Sequence, residues 1–353
     1  MKTEKFQPKV VAIGGGTGLS TMLRGLKAYT PNITAVVTVA DDGGGSGQLR
    51  DELKMLPPGD IRNCILALAE TEPIMDKLLR YRFDAGSLKG QSFGNLFLAA
   101  MNGIYDGDFV AAVKSVSDVL KVTGTVLPVT DSDVELVAYL ESGKTVVGES
   151  SIGKSVTDFD SSIRKIELRA KNGGDIRLVP DIREKISEAD IITIGPGSLY
   201  TSILSTLAAD DLARELKAAA APVVYINNIM TQHGETDGYT AFDHAAAITE
   251  HTGEGFLDYC IVNSRRLDTP LLKKYAEEES EEVILDEERF LGSGIKLVKR
   301  NIAGLIDNRY IRHDPEALAE AIMDIASFEC RRGVSVSEEG VVLYKPDRKN
   351  KRK

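Results

Sequence analysis

The chain has 353 residues, of which 42% are hydrophobic and 27% are charged, and its formal net charge is −10. This composition is typical of a folded globular protein and argues against a disordered chain. An acidic surface repels phosphate backbones, so the charge argues against general binding to nucleic acid. The longest apolar runs are far shorter than the ~20 residues that a membrane helix needs, so no membrane span is predicted.

The cysteines and the first residues suggest a cellular location. Cys64, Cys260 and Cys330 are far apart in the sequence and form no CxxC pair. This pattern favours buried thiols in a reducing compartment and argues against a cysteine zinc site. Residues 1–9 are charged and lack the apolar core of a signal peptide. We therefore expect a cytoplasmic protein.

The first part of the chain alternates short apolar runs with helical patterns. Residues 10–13 form a β-branched run that ends at Gly14, and residues 19–26 then place apolar side chains at helical spacing. This order predicts a strand, a glycine turn and a helix. Residues 33–40 are apolar on both faces, as expected of a parallel strand covered by helices on both sides. Further helices are predicted at residues 60–69, 93–104 and 108–120.

The second part returns to parallel-sheet character after an interruption. Residues 125–168 alternate in short runs with a hairpin signal at residues 141–144, which predicts an antiparallel insert. Buried strands are then predicted at residues 190–194, 222–226 and 259–262, and helices at residues 240–250 and 315–326.

These elements predict one doubly wound, mainly parallel α/β domain of the Rossmann-like type over residues 8–330. We expect a small β-rich insert at about residues 125–170 within it. Residues 331–353 form an extension that ends in a basic tail, which we interpret as a solubilising end.

Four predicted strands end in loops of Gly, Asp, Ser or Asn. In open parallel sheets, ligands bind outside the carboxyl ends of the strands, where the strand order reverses. The loop GGGTGLS opens a helix whose free amides and dipole favour an anion. We interpret it as a phosphate-binding loop; the alternative is a tight turn that only packs strand on helix. The candidate residues are Gly14, Gly15, Gly16, Thr17 and Gly18.

The second loop carries acidic residues. Asp41 and Asp42 lie at a strand end before GGGSG, where adjacent carboxylates can bind ribose hydroxyls or Mg²⁺. Asp60 follows a Pro-Pro-Gly turn and could approach the same place, with Arg62 beside it as a phosphate partner. The alternative is ordinary turn chemistry, which Asp and Gly favour in any case.

Further polar loops supply the remaining candidates. Asn95 begins a helix, and Gly197, Ser198 and Thr201 lie in another strand-to-helix turn. Ser198 and Thr201 could instead cap that helix, which their residue types do well. Asn227 opens the polar stretch NNIMTQHGETDGY, which is costly to order unless a ligand uses it.

Several common classes of site are not supported. The two helical histidines, His244 and His251, are two turns apart, and no HExxH motif occurs. No Ser/His/Asp arrangement can be defended from the sequence. Leu19 stands where the GxGxxG fingerprint requires its third glycine, and no Lys-Ser/Thr pair completes a P-loop. An NAD-dependent dehydrogenase is therefore disfavoured.

Several long stretches resemble the gluconeogenesis factor family of the CofD-like superfamily, relatives of the 2-phospho-L-lactate transferases. The matching stretches are VVAIGGGTGLSTMLRGLK, VTVADDGGGSGQLR, PPGDIRNC, SFGNLF, IGPGSLYTS and NNIMTQHGETDGYTAFDH. They span residues 10–244, and the weaker NSRRLDTPLLKKYAEE and RHDPEALA extend the similarity towards the C-terminus. The resemblance implies a doubly wound fold in a cytoplasmic bacterial protein that binds UDP-N-acetylglucosamine. It also implies an influence on carbon flow into cell-wall precursors and on cell shape.

The resemblance assigns roles to particular residues. The loops around Gly16 and Gly197 should face the ligand phosphates. Tyr275 and Arg312 look like positions that the family uses for the UDP-sugar. An aromatic ring can stack on uracil or a sugar, and a guanidinium group can hold a diphosphate in bidentate fashion.

The related transferases move a phospholactyl group onto a deazaflavin, and Asp42 and Asp60 look like their Mg²⁺ positions. The loop ADDGGGSGQLRDEL has the gluconeogenesis-factor form rather than the transferase form, which argues against deazaflavin chemistry and leaves metal binding open.

Two functions follow as hypotheses. The first is a regulatory protein that binds a UDP-sugar and acts on an enzyme of amino-sugar synthesis, with self-association into a homo-oligomer as an option. The second is a Mg²⁺-dependent nucleotidyl or phospho-group transferase that uses Asp41, Asp42 and Asp60. NAD could also occupy the cleft, because it offers phosphates and ribose, without a redox function.

Overall fold

The computed structural model describes residues 6–267, 269–306 and 310–330, so the predicted extension and basic tail lie outside the described residues. The strands are β1 (Val10–Gly14), β2 (Ile33–Val37), β3 (Thr125–Pro128), β4 (Val134–Leu140), β5 (Thr145–Val147), β6 (Ile163–Ala170), β7 (Ile191–Ile194), β8 (Val223–Ile226), β9 (Tyr259–Asn263), β10 (Lys296–Arg300), β11 (Ala303–Ile306) and β12 (Tyr310–His313).

The helices are α1 (Gly16–Leu26), α2 (Gly44–Leu53), α3 (Gly59–Leu68), α4 (Pro73–Arg80), α5 (Phe93–Ile104), α6 (Phe109–Val119), α7 (Glu149–Asp158), α8 (Pro180–Glu188), α9 (Ser205–Leu207), α10 (Leu212–Ala218), α11 (Ala241–Thr252), α12 (Thr269–Glu277), α13 (Glu287–Phe290) and α14 (Pro315–Cys330). A π-helical turn, Leu199–Leu204, leads directly into α9. Within the described part of the chain, no helix is both long enough and apolar enough to cross a lipid bilayer.

Seven strands form one parallel sheet in the order β10-β9-β8-β7-β1-β2-β3. The chain runs outward from β1 through β2 to β3, returns to the other side of β1 as β7, and continues outward to β10. The strand order therefore reverses between β1 and β7, and a crevice for ligands is expected at their carboxyl ends. The prediction of a doubly wound, mainly parallel α/β fold is confirmed.

The central strands are buried along their whole length. Every residue of β1, β2, β7 and β8 is buried. Parallel strands covered by helices on both faces have this continuous apolar character, whereas a half-exposed strand would alternate. The sequence predicts these strands well because strands buried on both faces are continuous apolar runs.

The insert forms a separate antiparallel sheet in the order β5-β4-β6. β4 and β5 pair across the turn predicted at residues 141–144. Residues 125–128, which the sequence places at the start of the insert, instead pair with β2 in the main sheet. Helix α7 packs on β4 and β5 and was not predicted, because it buries only Ile152 and Val156.

The C-terminal part closes over the end of β8. β11 and β12 pair in antiparallel register. Ile229, Tyr275, Ala303 and Ile311 form a second, small apolar core beneath them. The His313 Nε2 group donates to the Asn227 carbonyl oxygen at 3.0 Å, which fixes β12 against the carboxyl end of β8.

Helix α1 packs closely against α14, and this contact predicts the effect of one substitution. A Cβ atom on Gly25 would lie 1.9 Å from the Pro315 carbonyl oxygen, which belongs to rigid backbone. We expect Gly25→Ala to lower the free energy of unfolding by about 1–3 kcal/mol, because the helices must move apart. Denaturant titration measures the change.

Gly103→Ala in α5 is the matched control. A Cβ atom there meets nothing within 4 Å, so the substitution should be neutral or stabilise the helix by up to about 1 kcal/mol. Equal stability losses in the two variants would contradict the packing explanation.

Candidate functional site

The glycine loops that follow β1 and β7 touch each other. A Cβ atom on Gly18 would lie 2.4 Å from the Pro196 carbonyl oxygen, and one on Gly197 would lie 3.4 Å from the Gly15 carbonyl oxygen. Gly18 therefore lacks room for a larger residue, whereas Gly197 is only closely packed. The two loops that the sequence assigned to phosphates form a single feature at the switch point of the sheet.

The β1 loop leads straight into helix α1. Gly16 has φ +67°, a conformation that favours glycine. Its amide, in the first turn of α1, donates to the Asp60 carboxylate at 2.7 Å. Thr17 lies beside it and is exposed. The Thr17 carbonyl oxygen accepts hydrogen bonds from the hydroxyl groups of Ser20 and Thr21. The N-terminus of α1 thus already binds a carboxylate oxygen of the protein itself.

The β7 loop leads into the π-helical turn. Neither Ser198 nor Thr201 caps it through its side chain, although both residues could have done so. Ser198 Oγ donates to Gln232 at 2.7 Å, and Thr201 Oγ1 donates to the Glu235 carboxylate at 3.1 Å. The Tyr200 amide also donates to Glu235, at 3.3 Å. A buried glutamate therefore occupies the amides of this turn.

Next to the β1 loop is an open cavity of about 200 Å³. The first turns of α2, α3 and α5 surround it. Residues 44–47, predicted as a loop, are in fact the first turn of α2. The lining residues are Asp41, Gly43, Gly44, Gly45, Ser46, Gly59, Asp60, Arg62, Asn63, Arg82 and Asn95.

Asp60 sits between this cavity and the β1 loop. Burial, and then repulsion from Asp41, raises the pKa of Asp60 to about 6. The hydrogen bond from the Gly16 amide and the charge of Arg62 oppose this shift. The carboxyl group can therefore gain or lose a proton near neutral pH.

The two neighbouring aspartates have different surroundings. Asp41 lines the cavity, and its carboxylate accepts from the Gly43 amide at 2.9 Å. Asp42 is not part of the lining, and its carboxylate accepts from the Ser150 amide at 2.8 Å in the first turn of α7. Only one carboxylate of the pair thus faces the cavity together with Asp60.

Helix α7 approaches the site at a second point. A Cβ atom on Gly234, in the polar loop after β8, would lie 2.4 Å from the Gly153 carbonyl oxygen of α7. The insert is therefore in backbone contact with the loop that carries Glu235.

Burial, and then the charges of Asp41 and Asp42, raises the pKa of Glu149 in α7 to about 7. Burial likewise raises the pKa of Glu235 to about 7, against its hydrogen bonds from Thr201 and Tyr200.

The carboxylates around the cavity are the candidate ligands for a cation. No group of three or more His, Cys, Asp or Glu in the described residues is arranged to hold a metal ion. Asp60 and Asp41 nevertheless repel each other across the cavity, and a divalent cation would relieve that repulsion. Asp60 thus fits a Mg²⁺ ion that keeps waters or phosphate oxygens as its other ligands, and Asp41 suits it better than Asp42.

The remaining predicted residues lie at the end of β8 and in the C-terminal elements. Asn227 is buried at the end of β8, where its Nδ2 donates to the Ala241 carbonyl oxygen at 2.8 Å. It borders a smaller cavity of about 20 Å³, room for about one water molecule. Tyr275 is buried, and its hydroxyl accepts from the Ile311 amide at 2.9 Å and from Arg312 at 3.3 Å. The Arg312 residue itself is exposed.

The sequence did not single out three residues of this region. Glu235 lies in the polar stretch that was noted as a whole, and its burial could not be read from the sequence. Glu149 and Arg82 carry no local signal, since both reach the site through the folding of distant segments.

Comparison with known proteins shows the family to which the chain belongs. The family model described as 2-phospho-L-lactate transferase CofD matches residues 10–303. A relative from Thermoanaerobacterium thermosulfurigenes is 54% identical over 318 residues, which cover 90% of this chain and 97% of the relative. The gluconeogenesis factor of Bacillus subtilis is 45% identical over 320 residues, covering 90% of this chain and 98% of that protein.

The chain belongs to the gluconeogenesis factor family.

A crystal structure of a Bacillus halodurans protein superimposes on this family member with a TM-score of 0.85 at 43% identity, covering 90% of this chain and all of that one. The family resemblance found in the sequence motifs is thus confirmed over most of the chain.

The raised pKa values in this gluconeogenesis factor predict a pH dependence of stability. A carboxyl group whose pKa is higher in the folded state binds protons more readily when folded. The free energy of unfolding should therefore rise as the pH falls from about 8 to about 5. This gain in stability should disappear when the pH rises again and the groups ionise. Asp60 alone should contribute on the order of 2 kcal/mol.

Denaturant titrations across this pH range check the effect. Asp60→Asn and Glu235→Gln remove a titrating group at little cost in shape, so each should flatten the profile. Asp181→Asn, on the exposed start of α8, is the control and should leave it unchanged. Profiles that keep their slope in both site variants would show that other groups cause it.

Proposed function

We propose that this protein is a regulatory binding protein for a UDP-sugar, UDP-N-acetylglucosamine, and that it controls carbon flow into cell-wall precursors and thereby cell shape. The observation that carries the proposal is the contact between the Gly14–Gly18 and Gly195–Ser202 loops at the switch point. A diphosphate placed there would meet main-chain amides from both loops.

The protein's own carboxylates support an anion in this position. Asp60 accepts from the Gly16 amide and Glu235 from the Tyr200 amide, one carboxylate at each loop. Amides that bind a carboxylate oxygen have the direction and partial charge to bind a phosphate oxygen. Both carboxyl groups have a raised pKa, so protonation would weaken their hold on the amides when a phosphate arrives.

Arg312 would hold the other end of the ligand. Its residue is exposed, and it lies on β12, which His313 fixes to the carboxyl end of β8 beside β7. Tyr275 is 7% exposed, so its ring offers little surface for stacking on a base. Tyr275 would instead position β12 and Arg312 through its hydroxyl.

In this proposal the protein lies in the cytoplasm and acts on an enzyme of amino-sugar synthesis. The proposal also includes association of the protein into a homo-oligomer. NAD presents the same phosphates and ribose to the crevice and is therefore the natural competing ligand. Calorimetry with UDP-N-acetylglucosamine and with NAD in parallel separates the two. Failure of the purified protein to bind any UDP-sugar would refute the proposal.

Gly18→Ala tests the loop contact itself. Because the new Cβ would meet the Pro196 carbonyl oxygen at 2.4 Å, the loops must separate, and UDP-N-acetylglucosamine affinity should fall at least about tenfold. Calorimetry measures the affinity, and circular dichroism checks that the variant is folded. Gly103→Ala, which meets no neighbouring atom within 4 Å, should bind like the unaltered protein.

Arg312→Met tests the second anchor. Removing a charged donor from a diphosphate should weaken UDP-N-acetylglucosamine about tenfold or more. Arg177→Met is the matched control, since the Arg177 side chain is 81% exposed and pairs with Asp175. Equal affinities in the two variants would remove Arg312 from the site.

A second candidate function is a Mg²⁺-dependent nucleotidyl or phospho-group transferase. It is favoured by the Asp41 and Asp60 carboxylates, which line the cavity beside the β1 loop. When bound, Mg²⁺ would neutralise phosphate charge, while Asp60 would hold the ion and the Gly16 amide. Turnover of a nucleotide with Mg²⁺ that disappears in Asp60→Asn and persists in Asp181→Asn would establish it. Absence of turnover across candidate acceptors would leave the binding function alone.

A further inference from the structure

Strand β6 lies at an edge of the small antiparallel sheet, because the strand order there is β5-β4-β6. An edge strand presents backbone N–H groups that need a partner outside the sheet. His251 of α11 supplies one such partner, since its Nε2 atom accepts from the Ile166 amide of β6 at 3.3 Å. A histidine side chain thus joins the small sheet to helix α11.

The contacts of His251 define its protonation state. A backbone amide can only donate, so the Nε2 atom must offer its lone pair to Ile166. The Nδ1 atom lies 2.7 Å from the Ala247 carbonyl oxygen, which can only accept, so Nδ1 carries the proton. The ring in this structure is therefore neutral. A second proton would place an N–H group on Nε2, directly facing the N–H group of Ile166.

The charged and titratable groups around His251 come from three elements. Burial lowers the pKa of His251, more strongly than its backbone hydrogen bond raises it. The charge of Glu250 on α11 raises this pKa, and the charge of Lys165 on β6 lowers it. The Tyr200 ring from the π-helical turn packs edge-on against the imidazole, with the ring centroids 5.7 Å apart. The neutral ring thus holds β6 at neutral pH, and acid removes this contact.

Tyr200 connects the contact at β6 to the turn that follows β7. Its hydroxyl group lies 3.5 Å from the Ile163 carbonyl oxygen, which is a second link to β6. Its amide donates to the Glu235 carboxylate in the loop after β8. The edge of the small sheet and the β7 turn therefore share one residue, and a change at His251 reaches that turn through the Tyr200 ring.

A second histidine contacts the insert at α7 and depends on acid in the opposite sense. The Nδ1 atom of His233 lies 2.9 Å from the Asp237 carboxylate, and its Nε2 atom lies 2.8 Å from the Glu279 carboxylate. The same Nε2 atom lies 3.2 Å from Thr157 Oγ1 of α7. Carboxylates accept hydrogen bonds, so the charged ring, with two N–H groups, satisfies both of them. Acid therefore preserves the contact at α7 while it removes the contact at β6.

We propose that the hydrogen bond between His251 and Ile166 is a pH-sensitive contact: protonation of His251 breaks it and releases β6 from α11, and the small sheet rotates about the contact between α7 and the loop after β8. The rotation needs no ligand, so the proposal is independent of the proposed function. It makes the insert a movable part of the fold, attached at α7 and released at β6.

Hydrogen exchange of the full chain, resolved to single amides by NMR and corrected for the pH dependence of intrinsic exchange, tests the contact. Between about pH 7.5 and about pH 5, the protection of the Ile166 amide should fall about tenfold or more, because it loses its acceptor. Strand β4, which lies between β5 and β6, should keep its protection. Equal protection of Ile166 at the two pH values would overturn the proposal, and so would a loss of protection shared by β4.

Substitutions assign the response to His251. His251→Gln supplies an amide oxygen that accepts at every pH, so Ile166 should stay protected in acid. His251→Phe keeps a ring beside Tyr200 but has no acceptor, so Ile166 should exchange rapidly at both pH values. The glutamine variant decides the question if the phenylalanine variant is unstable. A full pH response of Ile166 in His251→Gln would contradict the assignment.

His233→Gln is the matched control, because it replaces the other histidine that contacts the insert and leaves the bond to β6 in place. Ile166 should respond to pH in this variant as in the unaltered protein. Loss of the response in His233→Gln would show that the bond at β6 does not act by itself and would overturn the proposal.

The response is measured at a single amide because the global stability changes in two directions. A histidine with a lowered pKa binds protons less readily when folded, so it lowers the free energy of unfolding as the pH falls. The carboxyl groups with raised pKa values act in the opposite sense. Exchange at Ile166 separates the two effects. It also leaves the contact testable if no UDP-sugar binds.

Discussion

The site depends on the close approach of two backbone loops at the place where the strand order of the main sheet reverses. Between Gly18 and Pro196 there is no space for a side chain, so the β1 and β7 loops are in backbone contact. This contact follows from the topology, because β1 and β7 are adjacent parallel strands whose loops emerge at the same edge. The rest of the site, from Asp60 to Glu235, is arranged around that junction.

The chain places its own carboxylates on the amides that a phosphate would use. Asp60 and Glu235 are buried, and their desolvation is only partly offset by the N–H groups that they accept from. Mutual repulsion adds to the cost, as the raised pKa of Glu149 also shows. These carboxylates thus lower the stability of the fold at this end of the sheet, as is common in ligand-binding sites. Burial likewise disfavours the charged form of Arg62, whose buried Nε group has no hydrogen-bond partner among the described residues.

Much of the fold could be predicted from the sequence, because the parallel strands are apolar throughout and end in glycine. The same reasoning failed at α7 and at the first turn of α2: α7 buries only two side chains, and glycines at residues 44–47 suggest a loop. The glycine loops and Asp60 were identified because turn chemistry is local. Arg82 and Glu149 were missed because their positions depend on long-range packing. Asp42 could not be distinguished from Asp41, because the Ser150 amide that binds Asp42 belongs to a segment distant in the sequence.

The attachment of α7 has a mechanical consequence. The helix is held at its first turn by the Asp42 carboxylate and at its centre by the backbone of Gly234. One anchor lies in the segment after β2 and the other in the segment after β8, on opposite sides of the crevice. A force applied to the small sheet would therefore be transmitted to both rims at once, and a change in the width of the crevice would tilt the small sheet.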